Sequence, residues 1–223
     1  MSGKLITATV EIYHDSLSGR QPTEGVVAGL DIVSAVAGSI EISRDDQLMR
    51  IGREPDQEID FAKIRWPRFK SDFAIVLSNR AIKLDVDNEE EGYLVRCAGI
   101  ASYAFRVAII NAATVNLATA VAHETGHLFG LKADSDKLNP IMSGHCPTDS
   151  CVMHWGHAIA TEQVALPSKS QTGRLLERLK LKDVQYQRRE VETRKEFCDE
   201  CTDELGTTGK LRALDKIGIH VPR

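Results

Sequence analysis

His123-Glu124-Thr125-Gly126-His127, continuing as Leu128-Phe129-Gly130, is the stretch that decides how this chain is read. The first five residues match H-E-x-x-H. An α-helix turns once every ~3.6 residues, so side chains four apart share a face. His123 and His127 can therefore direct both imidazoles at one metal ion. Glu124 follows His123 directly and points to the flank of that pair, where a water would sit. Zinc can lower such a water's pKa from 15.7 to about 7, and a carboxylate can take its proton. The chemistry expected is hydrolysis, with Glu124 as general base and later as proton donor to the leaving amine.

The surroundings suit that reading. Leu117, Ala120, Val121, Leu128 and Leu131 recur at helical spacing, which predicts a helix from Leu117 to Leu131 with Gly130 as its terminator. Upstream, Leu5–Tyr13, Ser39–Arg53, Phe73–Leu77, Tyr93–Cys97 and Ser102–Ile110 carry strand-like runs. Pro22 opens a second helix whose Val26, Val27, Leu30, Val33 and Ala37 form one apolar face. Asp85–Glu91 is an acidic run without the spaced ligands and glycine of a calcium loop, so it reads as a solvated loop. Gln171–Phe197 is a highly charged stretch of helical character.

Composition narrows the possible partners. Hydrophobic residues make up 42% of 223, as in a folded globular chain. The net charge of -4 offers no overall basic surface to nucleic acid or anionic lipid. Arg188, Arg189 and Arg194 are a local basic cluster, but interspersed glutamates make it a solvated helix face more than a nucleic-acid contact. No apolar run reaches the ~18 residues of a membrane span. The first residues lack the apolar core of a secretory signal, and the expectation is a cytoplasmic protein with no membrane and no nucleic-acid partner. Cys97 sits in an apolar setting and reads as a core residue. Cys146, Cys151, Cys198 and Cys201 are clustered in pairs, and in a reducing compartment such clusters hold metal more often than they form disulfides.

Gly130 extends the motif to H-E-x-x-H-x-x-G, the start of the metzincin signature. The third ligand of that signature would fall on Ala133, which cannot bind metal. Downstream come His145-Cys146, Cys151 and Met153, and later Cys198-Asp199-Glu200-Cys201. In this ordered set the chain resembles the archaemetzincins, over about residues 70–204 and most firmly 121–155. The resemblance implies His123, His127 and His145 as ligands of a catalytic zinc and Glu124 as base. It implies Met153 as an apolar floor beneath the metal, and Cys146, Cys151, Cys198 and Cys201 as a closed structural zinc site. The chain departs from the family pattern in the spacing. Fourteen residues separate Gly130 from His145, where the family has two. A loop of that length closes at modest entropic cost. Asp134, paired with Met142, stays open as the alternative third ligand, and Asp136, His154 and His157 as minor ones.

The architecture expected is α/β (α+β) and zincin/metzincin-like. A twisted mixed sheet packs on an active-site helix in a catalytic domain over residues 1–160. A zinc-clipped helical region over 161–223 completes the four-cysteine site. The resemblance also implies a strand bordering the cleft, for which Ser102–Ile110 is the candidate. The function expected is zinc-dependent cleavage of peptide bonds in a peptide or protein substrate. The alternative is a zinc-binding or protein-interaction module on the same fold that does not catalyse, favoured by the alanine at 133.

Overall fold

Successive side chains of a strand point to opposite faces, so a strand buried on both faces reads as a continuous apolar run. The chain builds its centre on that pattern. The computed structural model describes residues 8–52, 59–60, 64–66, 68–80, 82–83, 96–114, 116–131, 145–148, 150–154 and 196–216. Its strands are β1 (Ala8–Asp15), β2 (Ile40–Met49), β3 (Ile59–Asp60), β4 (Phe73–Ser78), β5 (Ile82–Lys83), β6 (Arg96–Cys97), β7 (Gly99–Ser102) and β8 (Val107–Asn111). Its helices are α1 (Glu24–Ala37), α2 (Leu117–Leu128) and α3 (Asp199–Lys216).

Five strands form the main sheet in the order β2-β1-β4-β8-β7. The first four run parallel, and β7 is antiparallel to β8. A second sheet has the order β3-β5-β6. Every residue of the central β4 is buried. Phe73, Ile75 and Leu77 face one cluster, with Val26, Leu30 and Val33 of α1 and Ala120, Val121 and Leu128 of α2. Ala74 and Val76 face the other, with Tyr13, Val107, Ile109, Ile59 and Ile82. Each fully buried Val, Leu, Ile or Phe contributes about 1.5–3 kcal/mol before the entropic cost of ordering it. Both helices thus lie on one face of the sheet, and α2 is held against it by this core.

The expected mixed sheet packed on an active-site helix is present. Several boundaries differ. The Pro22 helix begins at Glu24 with Thr23 at its N-cap. The helix expected to reach Leu131 ends at Leu128, because Gly130 adopts φ 90°, a left-handed conformation that turns the chain. Ser102–Ile110 is not one strand. It spans the end of β7, a turn at residues 103–106, and β8. Strand β8 is interior, between β4 and β7, so among the described residues the edge strand on that side of the sheet is β7. The propensities of Tyr103 and Phe105 suit a strand, but the chain reverses there with Arg106 at φ 55°.

At the C-terminal side, Phe197, Cys201 and Leu205 are buried in the same cluster as β4 and α2. The start of α3 is therefore part of the main core. The charged stretch Gln171–Phe197 lies outside the described residues except for Glu196 and Phe197, which precede α3. Asp85–Glu91, Arg188, Arg189, Arg194, the side chain of Cys97 and the boundary at 160 also lie outside them. No helix among the described residues is long and apolar enough to cross a membrane.

Candidate metal centres

Helix α2 carries His123, Glu124 and His127 at the spacing its pitch dictates. His123 and Glu124 are buried and His127 is partly exposed. His123 Nδ1 lies 2.8 Å from the carbonyl oxygen of Val152. A carbonyl only accepts, so Nδ1 carries the proton and Nε2 is left with its lone pair. That Nε2 stands 3.1 Å from His127 Nε2. Two nitrogens that share a tetrahedral zinc, each ~2.05 Å from it, would be ~3.3 Å apart. The helical pair thus fits a single metal.

His145 completes the group. Its ring centroid is 5.1 Å from that of His123 and 5.3 Å from that of His127. One ring nitrogen from each of the three lies within 4.8 Å of the others. Burial, and next the charge of His145, lower the His127 pKa to about 4. That keeps its imidazole neutral, the form that binds metal. Burial pushes the Glu124 carboxyl up to about 8. A cation beside it would draw it back towards the carboxylate.

Two glycines let other elements approach these groups. A Cβ on Gly126 would sit 2.5 Å from Met153 Sδ, so only glycine admits the methionine beneath the motif helix. A Cβ on Gly99 of β7 would sit 2.6 Å from Glu124 Cγ and 2.8 Å from its Oε1. The edge strand therefore runs directly over the carboxyl group. Gly99→Ala is expected to push the carboxyl aside, lowering the turnover of any peptide substrate by up to about 10²-fold with metal content unchanged. A wild-type kcat in that variant would show that the strand yields instead.

The cysteines form a second group. Cys146, Cys151, Cys198 and Cys201 are all free thiols, and their sulfurs lie within 4.8 Å of one another. Cys146 Sγ and Cys198 Sγ are 3.6 Å apart. A disulfide would need ~2.05 Å, whereas two thiolates on a tetrahedral zinc at ~2.3 Å are ~3.8 Å apart. Backbone N–H groups donate to the sulfurs: Thr148 to Cys146 at 3.5 Å, and Met153 and Cys198 to Cys151 at 3.4 Å each. A hydrogen bond from Cys201 lowers the Cys151 thiol to about 5 and correspondingly raises Cys201. Burial raises Cys146. A divalent cation among the four sulfurs would be held by them as thiolates. The donor sets and spacings of both groups suit zinc.

All the site residues expected from the sequence are thus brought into one of two groups, apart from Glu124 beside the first. Asp134, Asp136, Met142, Ala133 and His157 lie outside the described residues. His154 is half-buried and pairs as a bridge with Cys146. It is not in the histidine group. Gly99 and the Val152 carbonyl were not singled out from the sequence. A lone glycine and a backbone oxygen carry no motif, and only their contacts reveal them.

A five-strand mixed sheet, a helix bearing H-E-x-x-H packed on one face of it, and Gly99 of the edge strand against Glu124 of that helix define a mixed α/β architecture. Among solved structures the chain is similar to archaemetzincin from Methanopyrus kandleri, at 19% identity with a TM-score of 0.56, covering 92% of this chain and 96% of that one. The fold is archaemetzincin-like. The chain also aligns with a zinc-dependent peptidase from Methanocorpusculum labreanum (17% identity, TM-score 0.47, 88% of this chain and 99% of that one). A third alignment is with archaemetzincin from Archaeoglobus fulgidus complexed with malonate (14%, 0.46, 88% and 99%). No protein-family model and no curated protein matches the sequence.

Proposed function

We propose that this chain is a zinc-dependent metallopeptidase acting on a peptide or protein substrate. The observation that carries the reading is the convergence of three histidine nitrogens within 4.8 Å, with Glu124 next in sequence to one of them and Gly99 of the edge strand packed on that carboxyl group. His123, His127 and His145 would hold the catalytic zinc, and Cys146, Cys151, Cys198 and Cys201 a structural one. Zinc at the histidines would supply acidity to a water and polarisation to the scissile carbonyl.

The protein's own groups do the rest. Val152 accepts the Nδ1 proton of His123 and so holds that ring with Nε2 towards the site. The Glu124 carboxylate takes the proton of the attacking water and returns it to the leaving amine. Among the described residues strand β7 pairs with β8 alone, and we propose that an extended peptide adds along its other side through main-chain hydrogen bonds. Met153 fills the space under the helix and keeps the base of the site apolar. In this reading residues 1–160 form the catalytic domain and 161–223 complete the thiolate site. Four free thiols suit a reducing compartment, which makes the cytoplasm the proposed location.

The test is cleavage of a quenched-fluorescent peptide library by the full chain. Hydrolysis is expected to disappear on chelation and to return on adding zinc. A zinc-loaded chain that cleaves no member of the library would favour the alternative, a zinc-binding interaction module.

A further inference from the structure

The two metal groups share one short piece of chain. Residues 145–154 carry His145 of the histidine group, Cys146 and Cys151 of the thiol group, the Val152 carbonyl that orients His123, and Met153 beneath Gly126. His145 and Cys146 are consecutive, so their Cα atoms are ~3.8 Å apart. Within this strap Cys146 N donates to Met153 O at 2.9 Å, Cys151 N to Thr148 O at 2.9 Å and His154 N to Cys151 O at 3.0 Å. Towards the C-terminal arm Val152 N donates to Glu196 O at 3.0 Å, and Cys198 N to Cys151 Sγ at 3.4 Å. Past that arm, Cys201 and Leu205 are anchored in the core.

From this geometry we propose that the thiol group and the histidine group bind metal cooperatively, with the strap 145–154 as the coupling element. The inference rests on the reading that both groups hold zinc. A metal among the thiols ties the strap to Cys198 and Cys201 and thereby fixes the ring of His145 and the Val152 carbonyl. Without it, ordering the strap falls on the histidine metal, whose affinity drops by that ordering cost. Coupling between binding sites is reciprocal, so an occupied histidine group must tighten the thiol group by the same factor. Loss of the thiol metal, by oxidation or by competition from a stronger chelator, would then also release the histidine metal.

The test uses cobalt(II) as probe on the full, metal-stripped chain. Thiolate ligation gives intense near-ultraviolet charge-transfer bands that an imidazole site lacks, so the two groups fill with distinct spectra. The double variant Cys198→Ser, Cys201→Ser is expected to bind cobalt at the histidine group about 10–100-fold more weakly. His127→Ala lies on α2 and leaves the strap's own sequence intact, and is expected to weaken the thiol group by the same factor. That second arm decides the matter if the double variant does not fold. Unchanged affinity in either folded variant, or unequal factors in the two, overturns the coupling and leaves the metal sites standing. A wild-type chain that shows only one class of cobalt site removes the metal assignment itself, and the coupling with it.

Discussion

Glu124→Gln is expected to lower kcat for peptide hydrolysis by about 10²–10⁴-fold, the range a positioned general base contributes, with metal content unchanged. Glutamine keeps the shape and a hydrogen-bonding oxygen but cannot accept the proton. Glu124 is not one of the three converging histidines, so removing its charge leaves the donor set intact. It is buried beside Gly99, and a side chain of equal size keeps that packing. The measurement pairs steady-state kinetics with elemental analysis of the same sample. Activity near wild type would reject the role of base. Loss of activity together with loss of metal would instead make the carboxylate part of the metal's own environment.

A second large effect is expected at residue 145. His145→Ala should weaken zinc at the histidine group by more than the about 10–100-fold typical of losing an outer-shell partner. Asp134→Ala should leave it near wild type. The reason is chemical as well as geometric. Three neutral imidazoles form a ligand set that leaves one position open on a tetrahedral zinc, and the burial of His127 already favours its neutral form. An aspartate ligand would add a negative charge and make a bound water less acidic. Competition with a chromophoric chelator, with the thiol group loaded in both variants, separates the two. A large loss only in Asp134→Ala would assign the third position to that carboxylate. No loss in either would leave the helical pair as the sole protein ligands and strengthen the non-catalytic reading.

Both expectations concern the histidine group built on α2, whose pattern is local in the sequence. His123, Glu124 and His127 lie within a single turn and a quarter of helix. Their relative placement follows from helix pitch and needs no distant contact. The same holds for the continuous apolar run of β4, which suits a strand buried on both faces, and for the face of α1, set by a period of ~3.6 residues. The turn at 103–106 is not legible in the sequence because strand-favouring Tyr103, Phe105 and Val107 run across it, with Arg106 between them and no proline or glycine to mark it. It bears on the proposed substrate strand, since among the described residues the sheet edge falls on β7 and not on a 102–110 strand.

By itself the sequence determined the motif helix, the pairing of cysteines by spacing and the sheet-and-helix class. These are written in local periodicity and short-range chemistry. The tertiary structure alone decided which distant groups meet. It brought His145 to His123 across an irregular spacing, Cys146 to Cys198, the Val152 carbonyl to His123, and Gly99 over Glu124. Nothing in the intervening residues encodes those meetings as a pattern. They arise because burying α2, the strap and the start of α3 in one apolar cluster leaves their polar groups facing one another.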